Sequence, residues 1–417
     1  MREQLQLTVF ADNLGPPVTE AESTTQVTLV LPCLNEAESV GACIDEAFAS
    51  ARGADLTLAV IVVDNGSTDD SPAIAAQHGA TVIREQRRGY GRALKTGIAA
   101  ARSGVVVMAD ADSTYPLDRL PDLVAPVLAG EADMVIGERL RDVPRDAMPF
   151  LHRYLGTPIL SFLVRRAARG VDVADSQSGY RAFSRERIVG LGLRSDGMEF
   201  ASEMIIRAGR HGCAIRSLDT GYRPRVGESK LNTVSDGARH LQLIGLMAPQ
   251  LVLLWPGLVM LLLGAGLTTI SLIQPHGIEI GSLRWQPVFF SGIALVIGTL
   301  GSLAGAVLAF HSSVVGEDVR RRYAFVGHEK FDRRLTGAGI GASVLGLAID
   351  AWLFVVWLRR VHTPARALPM ASLAQSLILC GAVAVVFGIT NALINRDRGE
   401  ELVDGARADH TGCTSSS

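Results

Sequence analysis

Asp110-Ala111-Asp112 follows directly on the apolar run Val105-Val106-Val107-Met108-Ala109. A buried strand there would deliver two carboxylates, spaced i and i+2, to the end of a sheet. Hard divalent ions such as Mg²⁺ or Mn²⁺ take oxygen ligands, commonly one or two carboxylates completed by substrate phosphates. Such an ion can bridge a diphosphate and absorb the charge that builds as it leaves. A turn with two capping aspartates has the same spelling, so the pair alone does not decide. Gly89-Tyr90-Gly91-Arg92-Ala93-Leu94-Lys95-Thr96 imitates a phosphate-cradling Walker loop, but Leu94 stands where that loop needs glycine before lysine.

The elements that must position these residues follow from hydrophobic patterning. Val27–Leu31, Leu56–Val63, Thr81–Arg84, Val105–Met108 and Met134–Ile136 read as strands. Glu36–Ser50, Asp69–His78, Arg92–Arg102 and Leu117–Leu128 read as helices. Short apolar runs alternating with helices predict a mainly parallel sheet covered on both faces. Ligands of such sheets bind at the carboxyl ends of the strands. Asn35 and Glu36, Asp64 and Asn65, and Asp110 and Asp112 sit at those ends.

Beyond about Leu246 the chain changes character. Four apolar blocks, Met247–Ile273, Pro287–Phe310, Ala338–Leu358 and Leu368–Ile394, are each long enough to cross a bilayer, which takes roughly 20 residues. Pro249 and Pro256 predict the entry and a kink of the first span. Arg320, Arg321, Arg322, Lys330, Arg333 and Arg334 crowd the second connection, whereas the first carries only Arg284. That bias predicts a cytoplasmic catalytic part, basic loop and C-terminus, with Arg359, Arg360 and Arg366 as counterweights. Asp350 lies inside the third block, where a carboxylate is either functional or hydrogen-bonded between helices. Ser235–Gly245 and Arg153–Arg169 both have the pattern of amphipathic helices at a membrane interface or of ordinary packed helices.

Composition narrows the rest. The net charge of -2 gives no basic footprint for nucleic acid. Cys33, Cys43, Cys213, Cys380 and Cys413 form no CxxC pair, so no zinc site or disulfide framework is expected. The polar start, Met1 to Thr25, has no apolar core of a signal peptide. The expected organisation is a disordered tail over 1–25, a globular domain over 26–232, an interfacial helix over 233–246, four transmembrane helices over 247–394 and a disordered tail over 395–417.

Seven segments, in order, resemble the family 2 inverting glycosyltransferases, and within them the dolichol- and polyprenyl-phosphate sugar synthases. They are Leu31-Pro32-Cys33-Leu34-Asn35-Glu36, Val62-Val63-Asp64-Asn65-Gly66-Ser67-Thr68-Asp69, Arg88-Gly89-Tyr90-Gly91, Asp110-Ala111-Asp112, Ile136-Gly137-Glu138-Arg139, Asp175-Ser176-Gln177-Ser178-Gly179-Tyr180-Arg181 and Gly227-Glu228-Ser229-Lys230-Leu231. The resemblance implies an A-type, Rossmann-like glycosyltransferase fold followed by an all-α four-helix membrane region. It also implies transfer of a hexose from a nucleotide-diphosphate sugar to a polyprenyl phosphate, with inversion and with Mg²⁺ or Mn²⁺.

Residue by residue, the resemblance makes Pro32, Leu34, Glu36, Asp64 and Asn65 line the nucleoside pocket. Asp110 and Ala111 fall beside the ribose and diphosphate, and Asp112, with Asp110, holds the metal. Relatives often carry two adjacent aspartates where this chain has Asp64-Asn65, and some add a glutamine ligand where this chain has Thr114. A lipid phosphate and a diphosphate repel one another, and arginine suits bidentate phosphate contacts. Arg139, Arg153, Arg181, Arg225 and Lys230 are the expected acceptor-phosphate cations. An ionised phosphate acceptor needs no dedicated base. Asp175 is the candidate if one exists, with orientation of Arg181 or of the sugar as its other role. Association through the spans is a further implication. Two other readings stay open: a processive polysaccharide synthase, although no QxxRW run occurs, and a non-enzymatic membrane transport or scaffold protein.

Overall fold

The computed structural model describes residues 25–139, 156–226, 233–280, 283–359 and 366–412. The chain divides into two compact units, Met1–Leu243 and Ile244–Ser417.

In the first unit the apolar runs form strands β1 (Val27–Cys33), β2 (Leu58–Asp64), β3 (Thr81–Arg84), β4 (Val105–Met108), β5 (Met134–Glu138), β6 (Arg181–Ser184) and β7 (Ile215–Asp219). Between them lie helices α1 (Val40–Gly53), α2 (Ser71–Gln77), α3 (Tyr90–Ala100), α4 (Leu120–Leu128), α5 (Thr157–Ala167), α6 (Arg185–Val189) and α7 (Phe200–Arg210). Helix α8 (Thr233–Met247) leads into the second unit. The strands make one sheet in the order β3-β2-β1-β4-β6-β5-β7. All neighbours pair parallel except β6, which runs antiparallel to both β4 and β5.

The sheet is mainly parallel, as its sequence pattern predicts. Alternate β1 residues Val27, Leu29 and Leu31 bury against Val40, Ile44 and Ala47 of α1 and join a core that includes Leu120, Leu123 and Val124 of α4. Helix α3 covers the opposite face. Strand order reverses between β1 and β4, which opens a crevice at their carboxyl ends. Strands β6 and β7 were not expected from the sequence, because Arg181-Ala182-Phe183-Ser184 and Ile215-Arg216-Ser217-Leu218-Asp219 carry charges and lack an apolar run.

In the second unit α8 is followed by a π-helical turn over Gln250–Leu254 between Pro249 and Pro256, where a kink was expected. Helices α9 (Trp255–Ile273), α10 (Val288–His311), α11 (Glu317–Arg322), α12 (Glu329–Leu358) and α13 (Ala367–Gly412) follow. A hairpin of β8 (Ile278–Ile280) and β9 (Leu283–Trp285) joins α9 to α10. Four segments, Gln250–Ile273, Val288–His311, Glu329–Leu358 and Ala367–Asp397, are long and apolar enough to cross a membrane.

Two helix limits differ from the sequence reading. Helix α12 starts at Glu329 rather than near Ala338, because hydrogen bonding along a helix continues past the end of its apolar stretch. Its 30 residues extend about 45 Å. Helix α13 continues to Gly412, through a stretch expected to be disordered but rich in the helix formers Glu400, Glu401, Leu402, Ala406, Arg407 and Ala408. A buried polar clasp ties the second connection to α13. The Asn391 amide donates to the Val326 carbonyl at 2.7 Å and to Asp332 Oδ1 at 2.6 Å, and its Oδ1 meets His311 Nε2 at 2.7 Å.

Candidate active site at the carboxyl edge of the sheet

The loop after β1 is fastened to the loop after β2. Asn35 takes a positive φ of 54°, which asparagine tolerates, and its Oδ1 accepts from the Thr68 amide at 2.7 Å. The Glu36 amide donates to Ser71 Oγ at 2.8 Å, and the Ala37 amide to Asp69 Oδ2 at 3.2 Å. Pro32 and Leu34 are half-buried in this corner, and Asp64 is buried with its Oδ1 accepting from the Ser67 amide at 2.8 Å. Asn65 turns the other way. Its Nδ2 donates to the carbonyls of Glu85 and Arg87, and its Oδ1 accepts from the Gly89 amide at 2.7 Å. That amide group therefore shapes the 85–89 loop. Gly89 has φ 149°, and a Cβ there would run into the Asp196 carbonyl, so only glycine fits.

Asp110 and Asp112 sit where β4 ends, in the crevice beside β1. Asp110 Oδ1 accepts from the Tyr90 hydroxyl at 2.9 Å. Burial and the adjacent Asp112 push the Asp110 carboxyl up to about 7, against the pull of Tyr90, Arg139 and Arg225. Asp112 Oδ1 accepts from the Thr114 amide at 3.1 Å and the Thr114 hydroxyl at 2.6 Å. Asp112 Oδ2 faces Arg225 Nη1 at 3.0 Å, and the same guanidinium reaches Glu36 Oε1 through Nη2 at 2.7 Å. Ser113, between Asp112 and Thr114, has φ 63°, a strained value for serine of the kind that collects at functional loops. Ser39 Oγ donates to the Ala111 carbonyl at 2.7 Å and so fixes the middle of the pair.

The third component comes from the residues just before β6. Asp175 is wholly buried and binds Arg139 in a fork, Nε to Oδ2 at 2.7 Å and Nη2 to Oδ1 at 3.1 Å. Burial opposes the Arg139 charge, but Asp175 outweighs it and holds the guanidinium well above its ordinary range. Arg139 also lies over the Tyr222 ring, 5.4 Å from its centroid.

Arg181 is placed differently. It is fully buried, and Nε, Nη1 and Nη2 donate to the carbonyls of Ser178, Ala201 and Ser176. Burial lowers it to about 10. Asp175 therefore orients Arg139 rather than Arg181, and Arg181 pins the 176–178 loop instead of joining the other cations. Arg225 joins Glu36 and Asp112 on the side of the β1 loop. Arg153 and Lys230 lie outside the described residues.

Tyr90, Tyr115 and Tyr222 are site residues that pattern reading missed. Tyr115 accepts the Gly179 amide at 2.7 Å and packs against Tyr180 and Tyr222. Their signals were present, as Tyr90 lies inside Arg88-Gly89-Tyr90-Gly91 and Tyr115 comes three residues after Asp112. Among the described residues no group of three or more His, Cys, Asp or Glu side chains could hold a metal.

Residues 28–188 match the family model for glycosyl transferase family 2. The chain is similar to the low-salt glycan biosynthesis hexosyltransferase Agl6 of Haloferax volcanii, 34% identical over 379 residues, covering 89% of this chain and 87% of that protein. It is 32% identical over 215 residues to the dolichyl-phosphate hexose transferase of the same organism, covering 51% of this chain and 89% of that one. Among solved structures it is similar to glucosyl-3-phosphoglycerate synthase from Mycobacterium tuberculosis in complex with Mn²⁺, uridine diphosphate and phosphoglyceric acid. That match has 27% identity, covers 56% of this chain and 82% of that one, and has a TM-score of 0.43. The match to the hexosyltransferase runs through the site and the apolar helices alike, and the chain belongs to glycosyltransferase family 2.

Proposed function

We propose that this glycosyltransferase moves a hexose, with inversion, from a nucleotide-diphosphate sugar to a polyprenyl phosphate at the cytoplasmic face of a membrane, using a divalent metal. The observation that carries the reading is the pairing of two carboxylates at the end of β4 with the forked Arg139–Asp175 pair beside them. One half suits a metal-bound diphosphate and the other a second phosphate. The relative named for dolichyl phosphate supports the acceptor, and the four apolar segments support a lipid substrate.

The residues fit a metal. Asp112 already holds a cation, the Arg225 guanidinium, on Oδ2, and Asp110 stands two residues away. Mg²⁺ or Mn²⁺, when bound there, would neutralise the departing diphosphate. The chain's own groups do the rest. Pro32, Leu34, Glu36 and Asp64 face the nucleoside, with Asn65 shaping the adjoining loop. Tyr90 steadies Asp110. Asp175 holds Arg139 with Nε and Nη2 engaged, so Nη1 is the edge turned to the acceptor phosphate. A phosphate oxygen attacks the anomeric carbon as the bond to the diphosphate breaks. That oxygen is already ionised near neutral pH, given a phosphoester second pKa of about 6, so no residue need take its proton. Asp175, sealed and doubly bound, acts by positioning.

The test is a panel of UDP- and GDP-hexoses offered to the membrane-embedded protein, with or without polyprenyl phosphate and with Mg²⁺, Mn²⁺ or a chelator. Lipid-linked product should form only when lipid and metal are both present, and Asp112→Asn should abolish it. Turnover that ignores the lipid, or an Asp112→Asn enzyme at near-normal rate, would overturn the acceptor or the metal assignment respectively.

A further inference from the structure

Arg225 makes one contact that the reaction itself does not require. Its guanidinium spans two carboxylates from different loops, Glu36 after β1 at 2.7 Å and Asp112 after β4 at 3.0 Å. Asp112 has two oxygens, and they are not equivalent. Oδ1 is engaged by both donors of Thr114. Oδ2 is therefore the oxygen left to face a metal, and Arg225 lies on it. A divalent ion approaching that oxygen meets the guanidinium's positive charge at close range, so each opposes the other's binding there.

The backbone around Arg225 is fixed. The Val226 amide donates to the Asp112 carbonyl at 3.2 Å, and the Arg223 amide to the Thr114 carbonyl at 2.9 Å. Arg223 also binds Glu46 and Asp118. Withdrawal of Arg225 from Asp112 is thus a side-chain rotation and needs no loop opening. Its Nε is buried with no hydrogen-bond partner among the described residues, so the closed position is incompletely satisfied and suited to release.

We propose that Arg225 is a latch on the metal position: in the donor-free protein it bridges Glu36 and Asp112, and a divalent cation enters at Asp112 only as the guanidinium lets go. This rests on the metal reading above. Because Glu36 belongs to the nucleoside loop and Asp112 to the metal loop, one side chain couples the two. A diphosphate that draws the guanidinium away exposes Asp112 to the ion it needs. The protein then holds metal weakly alone and firmly with donor.

Full-length protein in detergent, titrated with Mn²⁺ alone and followed by the electron paramagnetic resonance signal of the unbound ion, tests this. Arg225→Gln should bind Mn²⁺ about tenfold more tightly than the wild type, the scale of losing one charge-assisted contact. Arg225→Lys keeps the charge but has no fork to span both carboxylates. It should also bind more tightly than wild type, by a smaller factor. Equal affinity of the lysine variant and wild type would reduce the effect to general charge and overturn the latch. Equal affinity of all three, with binding lost in Asp112→Asn, would overturn the latch and leave the metal site standing. Mn²⁺ binding untouched by Asp112→Asn would remove the metal reading and the latch together.

Discussion

At the scale of residues, this site is built from charges that burial would otherwise penalise. Asp175 and Arg139 tolerate the interior because each satisfies the other in a fork, and deleting one partner of such a pair costs about 3–5 kcal/mol. Glu203 does the same for the support of Tyr90. Its Oε2 accepts the amides of Arg194 and Ser195 at 2.9 and 2.7 Å, and its Oε1 binds Arg207 at 2.7 Å. That holds the 194–196 segment, whose Asp196 carbonyl receives the Arg92 amide at 3.1 Å. Burial alone would raise the Glu203 carboxyl, but the Ser195 and Arg194 amides and Arg207 outweigh it and keep it below its ordinary 4.5. As pH falls, the unfolded chain takes up this proton first. The stabilisation is complete above the ordinary value and is lost as pH drops through the lower folded one. Glu203→Gln should therefore cost about 1–3 kcal/mol at neutral pH and flatten the acid limb of the stability profile. Denaturant melts between pH 7 and pH 3.5 check this, and an unchanged slope would remove Glu203 from the account.

At the scale of elements, α3 and β6 decide the geometry. Helix α3 lies close to the sheet because Gly97 has no side chain. A Cβ there would meet Val30 Cγ1 at once and Val63 Cγ2 at 3.0 Å. Alanine gains about 1 kcal/mol of helix propensity, whereas overpacking a filled core costs about 1–3 kcal/mol. Overpacking should win, so Gly97→Ala is expected to lower the melting temperature. Gly53, at the end of α1, has nothing within 4 Å of an added Cβ, so Gly53→Ala should be neutral or mildly stabilising. Strand β6 works through direction. Because it runs antiparallel to β4, the residues that precede it arrive at the edge where β4 ends. A parallel strand in that place would have sent Asp175 to the opposite edge, away from Asp110.

At the scale of the whole molecule, the four apolar segments and their charge bias belong together. The connection after the second segment presents exposed Arg320, Arg321, Arg322, Lys330, Arg333 and Arg334, and the Asn391 clasp fixes it to α13. The first connection is a short hairpin with Arg284 paired to Glu279 at 2.9 Å. Under the positive-inside rule the proposed orientation puts the basic connection on the cytoplasmic side. A cysteine introduced as Glu279→Cys should react with a membrane-impermeant thiol reagent on intact cells. Glu317→Cys should react only after the membrane is opened. The reverse pattern would invert the proposed orientation and put the catalytic unit on the wrong side for a cytoplasmic donor.

Much of this was legible in the sequence because it depends on local pattern. Buried strands must be apolar runs, so β1 to β5 were readable, and a span must be about 20 apolar residues, so the four segments were too. The carboxylates of Asp110 and Asp112 had to fall at a strand end. Partnership was not legible, because it joins residues far apart in the chain. Arg181 and Arg139 look alike as letters, yet one is sealed onto three carbonyls and the other is aimed by Asp175. Arg225 read as one more phosphate cation until the sheet brought it onto Asp112 and Glu36. Sequence by itself determined which residues could do the chemistry and at which edge. The reversed strand β6 and the packing beneath it decided which of them meet, since only the folded sheet sets the distance between residues 36, 112 and 225.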